Sequence, residues 1–242
     1  MNNLEKTLEM AKKYAAQMRR DGVGYVTSCG KKSSDGKKPS GTKKCRGDAG
    51  NAEALDKLCA AVRVCRECHL CKSRKNAVCG EGNYRAKLMF VGEGPGFDED
   101  RLGRPFVGRS GQLLDTIIGA MKMKREDVYI TNIVKCHPMI DPSNPDKRGN
   151  DRKPSPDEIA ACIPYLEKQI SLIKPKVICG LGSVSGSTLL KLDIPIGKLR
   201  GKFYTYRGIK FMPTYHPAAL LRNQDLKKFV WEDMKMIIRE LE

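Results

Sequence analysis

The chain has 242 residues, 10 cysteines and a net charge of +17, with 45 Lys and Arg against 28 Asp and Glu. That length allows one α/β domain with a tail, or two small domains. No apolar run approaches the roughly 20 residues that a membrane-spanning helix needs. The first residues carry no apolar signal core, so the expected location is cytoplasmic. The charge favours a polyanionic partner, nucleic acid first, over the plainer reading of a soluble protein with a basic tail.

In chain order, "LEKTLEMAKKYAAQMRR" has loose helical spacing over residues 1 to 20. Residues 21–50 hold "GKKSSDGKKPSGTKKCRGDAG", with almost nothing to bury, which predicts disorder. Positions 1–50 carry 12 Lys and Arg against 5 Asp and Glu, which leaves a net +10 on residues 51–242. The domain division expected is therefore a basic extension, 1–50, and a folded part, 51–242. "NAEALDKLCAAVRVC" then predicts a helix capped by Asn51. Three short apolar runs, "KLMFV" (87–91), "VYITNIV" (128–134) and "KVICGL" (176–181), alternate with the helical "GQLLDTIIGAMKM" and "SPDEIAACIPYLEKQISLI". That alternation predicts an α/β fold with a parallel sheet covered on both faces. "GKFYTYRGIKFMPTYH" predicts a hairpin turning at Arg207-Gly208, its second arm returning as a fourth sheet strand. "MIDPSNPDKRGNDRKPSP" (139–156) is a polar, Pro-rich loop, and "DLKKFVWEDMKMIIREL" a closing helix. There are no internal repeats.

Ligands of open α/β sheets sit beyond the carboxyl ends of the strands. Four segments lie there: "GEGPGFDEDRLGRPFVGRSG" (92–111), "TNIVKCHP", "CGLGS" and "TYHPAALLRN". A glycine-rich turn after a strand usually holds a phosphate, but Glu93, Asp98, Glu99 and Asp100 would repel one. "GLGSVSG" has a displaced third glycine and no ribose acid after it, which argues against a dinucleotide. The absence of a GK[ST] sequence argues against a nucleoside triphosphatase.

Cys65, Cys68 and Cys71 form a C-x2-C-x2-C run, a spacing that brings thiolates to one metal centre. Cys136 and Cys162 lie farther on. Ten cysteines in a reducing compartment suggest metal or cluster ligands before disulfides. Spacing alone does not separate zinc from an iron–sulfur cluster or choose the remaining ligands. Cys59, Cys79 and Cys179 read as small buried hydrophobes, and Cys29 and Cys45 as thiols of the tail. His216 is a candidate proton donor or oxyanion stabiliser, set against an ordinary structural histidine. Asn132 can offer a donor and an acceptor to a base edge, although a strand-terminal turn residue is the commoner case. Phe106 offers a stacking face or a core side chain. The leucines of "AALLRN" suit a wedge into stacked bases or the start of a buried helix.

Taken together, "GEGPGFDEDRLGRPFVGRSGQLLD", "YITNIVKCHP" and "HPAALLRN", in that order and spacing, resemble the family 4 uracil-DNA glycosylases, the iron–sulfur type of bacteria and archaea. The likeness runs from about Asp56 to Glu242. It implies a three-layer α/β/α sandwich with a four-stranded, mostly parallel sheet. It also implies a structural [4Fe-4S] cluster on Cys65, Cys68, Cys136 and Cys162, with Cys71 a spare. The implied activity is hydrolysis of the N-glycosidic bond of uracil in DNA by a monomer. Phe106, Asn132 and Gly94 fall to uracil binding, His216 to the uracil O2, and Leu220 to filling the vacated stack. Better-known relatives carry an Asp where this chain has Gly94. Glu93 is the expected substitute for aligning water. Glu99 is a second candidate, or a guard at the C5 side of the pocket. Two other functions compete: a non-catalytic iron–sulfur DNA-binding module, and a glycosylase of broader deaminated-base specificity. A zinc nuclease or hydrolase is a third and predicts a colourless protein.

Overall fold

A computed structural model describes residues 46–242, with side chains from Gly50 onward. The helix expected over residues 1–20, and most of the disorder expected over 21–50, fall outside the described residues. So do Cys29 and Cys45. Within them the first helix, α1, runs Arg46–Val64. It therefore takes in residues 46–50, which were expected to be disordered. Asn51 is interior to α1 rather than its cap, and its Nδ2 donates to the Leu172 carbonyl at 3.2 Å. That bond ties α1 to the helix it packs against.

Six strands form one sheet in the order β1-β3-β2-β4-β6-β5. They are β1 (Glu81–Gly82), β2 (Leu88–Gly92), β3 (Tyr129–Asn132), β4 (Val177–Leu181), β5 (Tyr204–Tyr206) and β6 (Ile209–Thr214). The middle four are parallel, and β1 and β5 close the edges antiparallel. The expected count of four holds for the parallel centre alone. A two-residue edge strand such as β1 is too short to show an alternation. The first arm of the hairpin stays in the sheet as β5. Its turn carries Arg207 and Gly208 with φ of 49° and 80°, the positive pair of a type I′ turn.

The remaining helices are α2 (Phe97–Leu102), α3 (Arg109–Ala120), α4 (Pro156–Ile173), α5 (Ser183–Leu190), α6 (Ile196–Leu199), α7 (Pro217–Arg222) and α8 (Lys227–Leu241). Strand side chains alternate between two cores, as the pleat requires. Leu88 and Phe90 of β2 meet Leu114 and Ile118 of α3 and Val230, Met234 and Ile237 of α8. Met89 and Val91 meet Leu55 of α1 and Leu166, Ile170 and Ile173 of α4. The result is the expected three-layer α/β/α arrangement. Burying both faces explains why the central strands read as unbroken apolar runs. Among the described residues no helix is long and apolar enough to cross a membrane.

The chain steps from β2 outward to β3, then back across β2 to β4. The carboxyl ends of β2, β3, β4 and β6 thus open on one crevice at a reversal of strand order, the usual ligand position in such sheets.

Candidate active site

Gly92 ends β2 and forms the floor of the crevice. A Cβ there would lie 2.3 Å from Asn132 Oδ1 and 2.5 Å from Phe106 Cζ. Only a glycine lets both side chains close over the strand end. Asn132, last residue of β3, is paired with Gly92 across the sheet and is 1 % exposed. Among the described residues its Oδ1 is buried without a hydrogen-bond partner. A buried, unpaired acceptor costs about 1–3 kcal/mol, a penalty that a donor entering the crevice would relieve.

Phe106 is buried and sits at φ 49°, a backbone region that bulky residues rarely adopt. Arg125 braces it. The guanidinium donates to the Phe106 carbonyl at 3.2 Å and to the Pro105 carbonyl, while pairing with Glu81 at 2.7 Å. The Phe106 ring stands 5.6 Å from the His216 ring, tilted by 33°. His216 follows β6 and caps α7: its Nδ1 accepts from the Ala218 amide at 3.1 Å. In the neutral ring that bond puts the proton on Nε2. Burial, with the Arg222 charge adding, holds His216 down at about 4. The histidine is therefore a neutral donor near pH 7.

Glu93 follows the Gly92 floor and is half-buried. Burial pushes its carboxyl above the usual value, and Lys153 partly opposes the rise. Gly94 offers backbone alone, because a Cβ there would come within 2.8 Å of Val134 Cγ2. Glu99 Oε1 accepts from the Val107 and Gly108 amides at 2.8 and 3.0 Å, and its Oε2 from Gly96 at 3.3 Å. With both oxygens committed to backbone donors, Glu99 ties the start of α2 to the segment that holds Phe106. That geometry gives it a positioning role beside the catalytic and C5-side roles expected of it.

Leu220 is 1 % exposed in α7 and packs in the core with α3, so its side chain faces the core. The next residue, Leu221, is 41 % exposed. Helical geometry turns one of two adjacent leucines inward and the other outward.

Cys65, Cys68, Cys71, Cys136 and Cys162 all line one cavity with Arg74, Lys135 and Tyr165. Arg74 donates to Cys136 Sγ at 2.9 Å and to the Cys65 carbonyl at 2.8 Å. The Lys135 amide donates to Cys162 Sγ at 3.2 Å. Burial pushes the Cys136 thiol up to about 12 and raises Cys68 and Cys162. The same burial lowers the Lys135 ammonium to about 7. Among the described residues no three His, Cys, Asp or Glu side chains converge closely enough to hold a single metal ion. A four-iron cluster takes each thiolate on a separate iron, and the cysteine thiols lining this cavity are the donor type such a group needs. Cys136 and Cys162 already receive donors of the kind that orient and tune such ligands. Cys59 and Cys79 depart from the expected free, buried thiols: they form a disulfide, Cα–Cα 5.4 Å, joining α1 to the segment before β1. Cys179 is the buried hydrophobe expected. The bracing roles of Arg125 and Arg74 carry no sequence signal, since each depends on partners brought near only by the fold.

The family model of the uracil DNA glycosylase superfamily matches residues 79–235. A type-4 uracil-DNA glycosylase of Saccharolobus solfataricus is 47% identical over 192 residues, covering 76% of this chain and 84% of that protein. One from Thermotoga maritima is 42% identical over 187 residues, covering 76% and 92%. A DNA polymerase of Bacillus phage SP01 is 34% identical over 164 residues, which is 67% of this chain but 17% of the polymerase. The chain belongs to the uracil DNA glycosylase superfamily and stands with its type-4 members.

Proposed function

We propose that the chain excises uracil from DNA by hydrolysing the N-glycosidic bond, leaving an abasic site. The observation that carries this reading is the orphaned Asn132 Oδ1, packed over Gly92 beside the Phe106 ring. Uracil N3–H supplies the missing donor, and the Asn132 amide hydrogens meet O4. Cytosine presents a lone pair at N3 and would leave two acceptors facing each other, a mismatch that rejects strongly. The Phe106 ring stacks on the flipped base. His216 Nε2–H meets O2.

Bond breaking sends the N1–C1′ electron pair onto the base, and the charge spreads to O2. The His216 hydrogen bond strengthens as that charge grows, which is the condition for catalysis rather than mere binding. One such donor is worth about 3 kcal/mol. Glu93, as carboxylate, faces the positive sugar and orients the water that adds to C1′. The proton the water loses passes to Glu93 or to solvent, and the uracil anion leaves. Extruding the base costs a few kcal/mol. Leu221 is the exposed side chain of α7 suited to fill the gap, in place of Leu220.

Cys65, Cys68, Cys136 and Cys162 hold a [4Fe-4S] cluster in this reading, with Cys71 as a spare thiol in the same wall. The cluster cross-links the Cys65–Cys71 segment, the end of β3 and α4, and the hydrolysis needs no electron from it. Residues 1–45 add 11 Lys and Arg against 4 Asp and Glu and supply non-specific affinity for DNA, so removing them flattens the salt dependence of binding.

The test is excision from oligonucleotides bearing uracil, hypoxanthine, cytosine or thymine, each followed by alkaline cleavage, with a visible spectrum of the same sample. Cleavage at uracil and absorbance near 400 nm are expected. A cluster-loaded protein that leaves uracil intact in both single and double strands would overturn the reading.

A further inference from the structure

Lys135 is an odd residue to bury. It is 1 % exposed, and a methionine would fill the space without the cost of desolvating an amine. What lysine adds is donors. Its Nζ reaches Thr131 Oγ1 at 2.6 Å, the Asn132 carbonyl at 2.7 Å and Gln169 Oε1 at 2.7 Å. Its own amide donates to Cys162 Sγ at 3.2 Å, and its carbonyl accepts from Val78 at 2.7 Å. Cys136 is the next residue. The acceptors are themselves anchored: Thr131 Oγ1 donates to the Cys79 carbonyl at 2.8 Å, and Gln169 Nε2 to the same carbonyl at 2.8 Å.

Residues 133–136 follow β3 without regular structure, yet all are buried. Ile133 and Val134 donate to the Gly92 and Glu93 carbonyls at 2.9 and 3.1 Å. The segment thus touches the crevice floor at one end and the cysteine cavity at the other. Lys135 is where a single side chain reaches back to the crevice end while its backbone holds the cavity end.

We propose that Lys135 is a positioning residue that couples the cysteine cavity to the base-reading Asn132. A chain of short, buried hydrogen bonds carries displacement well because the packed surroundings leave few alternative arrangements. Ligands assembled on Cys136 and Cys162 fix the Lys135 backbone, and its Nζ fixes the Asn132 carbonyl and hence the aim of the amide. The cavity thereby affects base recognition without joining the chemistry. The inference rests on the reading of Asn132 and of the cluster given above.

The test compares two DNA duplexes in equilibrium binding. One carries 2′-fluoro-deoxyuridine, which presents uracil but resists cleavage; the other carries a tetrahydrofuran abasic site, which has no base to read. Lys135→Met should weaken the first by about tenfold and leave the second unchanged, with Tm and absorbance near 400 nm recorded for each variant. Asn132→Ala should show the same selective loss, and Lys135→Met/Asn132→Ala no more than Asn132→Ala alone. Cys162→Ser, which disturbs the cavity end, should reproduce the pattern more weakly. Should Lys135→Met fail to fold, near-isosteric Thr131→Val removes one Nζ acceptor and should move the same ratio by a smaller factor. Equal weakening of both duplexes, or losses that multiply in the double variant, would overturn the coupling. A wild type without preference for the uracil duplex refutes the Asn132 reading instead, and a colourless wild type refutes the cluster.

Discussion

Asn132→Ala separates recognition from stability. The Oδ1 it removes is buried and unpaired, so the folded protein sheds a penalty of about 1–3 kcal/mol. The truncation also forfeits the packing of the amide over Gly92 and Phe106, a loss of comparable size. The two nearly cancel, which leaves stability within about 1 kcal/mol and Tm within about 4 °C for a domain of this length. The effect on excision has no such offset. Uracil loses an acceptor for N3–H and a donor for O4, each worth about 1.5 kcal/mol. Together these come to about 3 kcal/mol, or about 150-fold in kcat/KM. Single-turnover excision on a uracil duplex, with thermal unfolding of the same sample, reads both quantities. A Tm drop beyond about 8 °C would show that the amide holds the fold rather than awaiting a ligand. Excision within about threefold of wild type would show that the base edge is read elsewhere.

Glu93 and His216 are displaced in opposite directions, and the pH profile should show it. The proposed mechanism uses the Glu93 carboxylate, so the rate should fall as pH drops through a value above 4.5, and Glu93→Gln should give a lower rate without that limb. His216 refuses a proton until about 4 against 6.5 when unfolded. The unfolded chain therefore binds the extra proton, and stability declines by about 3 kcal/mol as pH falls between those values; thermal scans of His216→Gln should lack that component. Leu220→Ala should cost about 2–4 kcal/mol through its core cavity. Leu221→Ala should leave Tm unchanged and slow excision from duplex, but not from single-stranded DNA. The Cys59–Cys79 disulfide closes a loop across a sequence separation of 20. Reducing it, or Cys59→Ser/Cys79→Ser, should lower stability by about 3 kcal/mol on loop entropy, with cysteine titration confirming the state of the pair.

The sheet was legible because burial on both faces leaves an unmistakable run of apolar residues at β2, β3 and β4. The crevice was legible because strand ends are where such sheets place ligands, and Asn132, Phe106 and His216 gather there. Other features were beyond the sequence. A two-residue strand such as β1 has no period to detect. Whether Leu220 or Leu221 faces outward depends on the rotation of a six-residue helix, too short for its pattern to fix a phase. The task of Glu99 depends on amides eight and nine residues away, reached only once the loop folds back. The disulfide was hidden for another reason: thiols expected in a reducing setting read as ligands or fillers, and pairing requires knowing which two face each other.

The division of charge gives the arrangement its logic. Residues 51–242 carry a net +10, which draws a phosphate backbone from a distance and weakens with salt. At the crevice floor the groups aimed at the base are uncharged: an amide, a phenyl ring and a neutral imidazole. A cationic histidine would grip the O2 of every bound carbonyl base before the bond broke, and that gain would appear in binding rather than rate. A neutral donor, already oriented by the Ala218 amide at 3.1 Å, gains most as the anion forms. In the proposed mechanism cap and catalyst are then one device. Breaking the Ala218 bond by replacing residue 218 with proline, which removes the amide donor, should lower kcat while leaving KM nearly unchanged. A fall in affinity with kcat preserved would mean that the imidazole serves binding and that the transition state draws its stabilisation from another group.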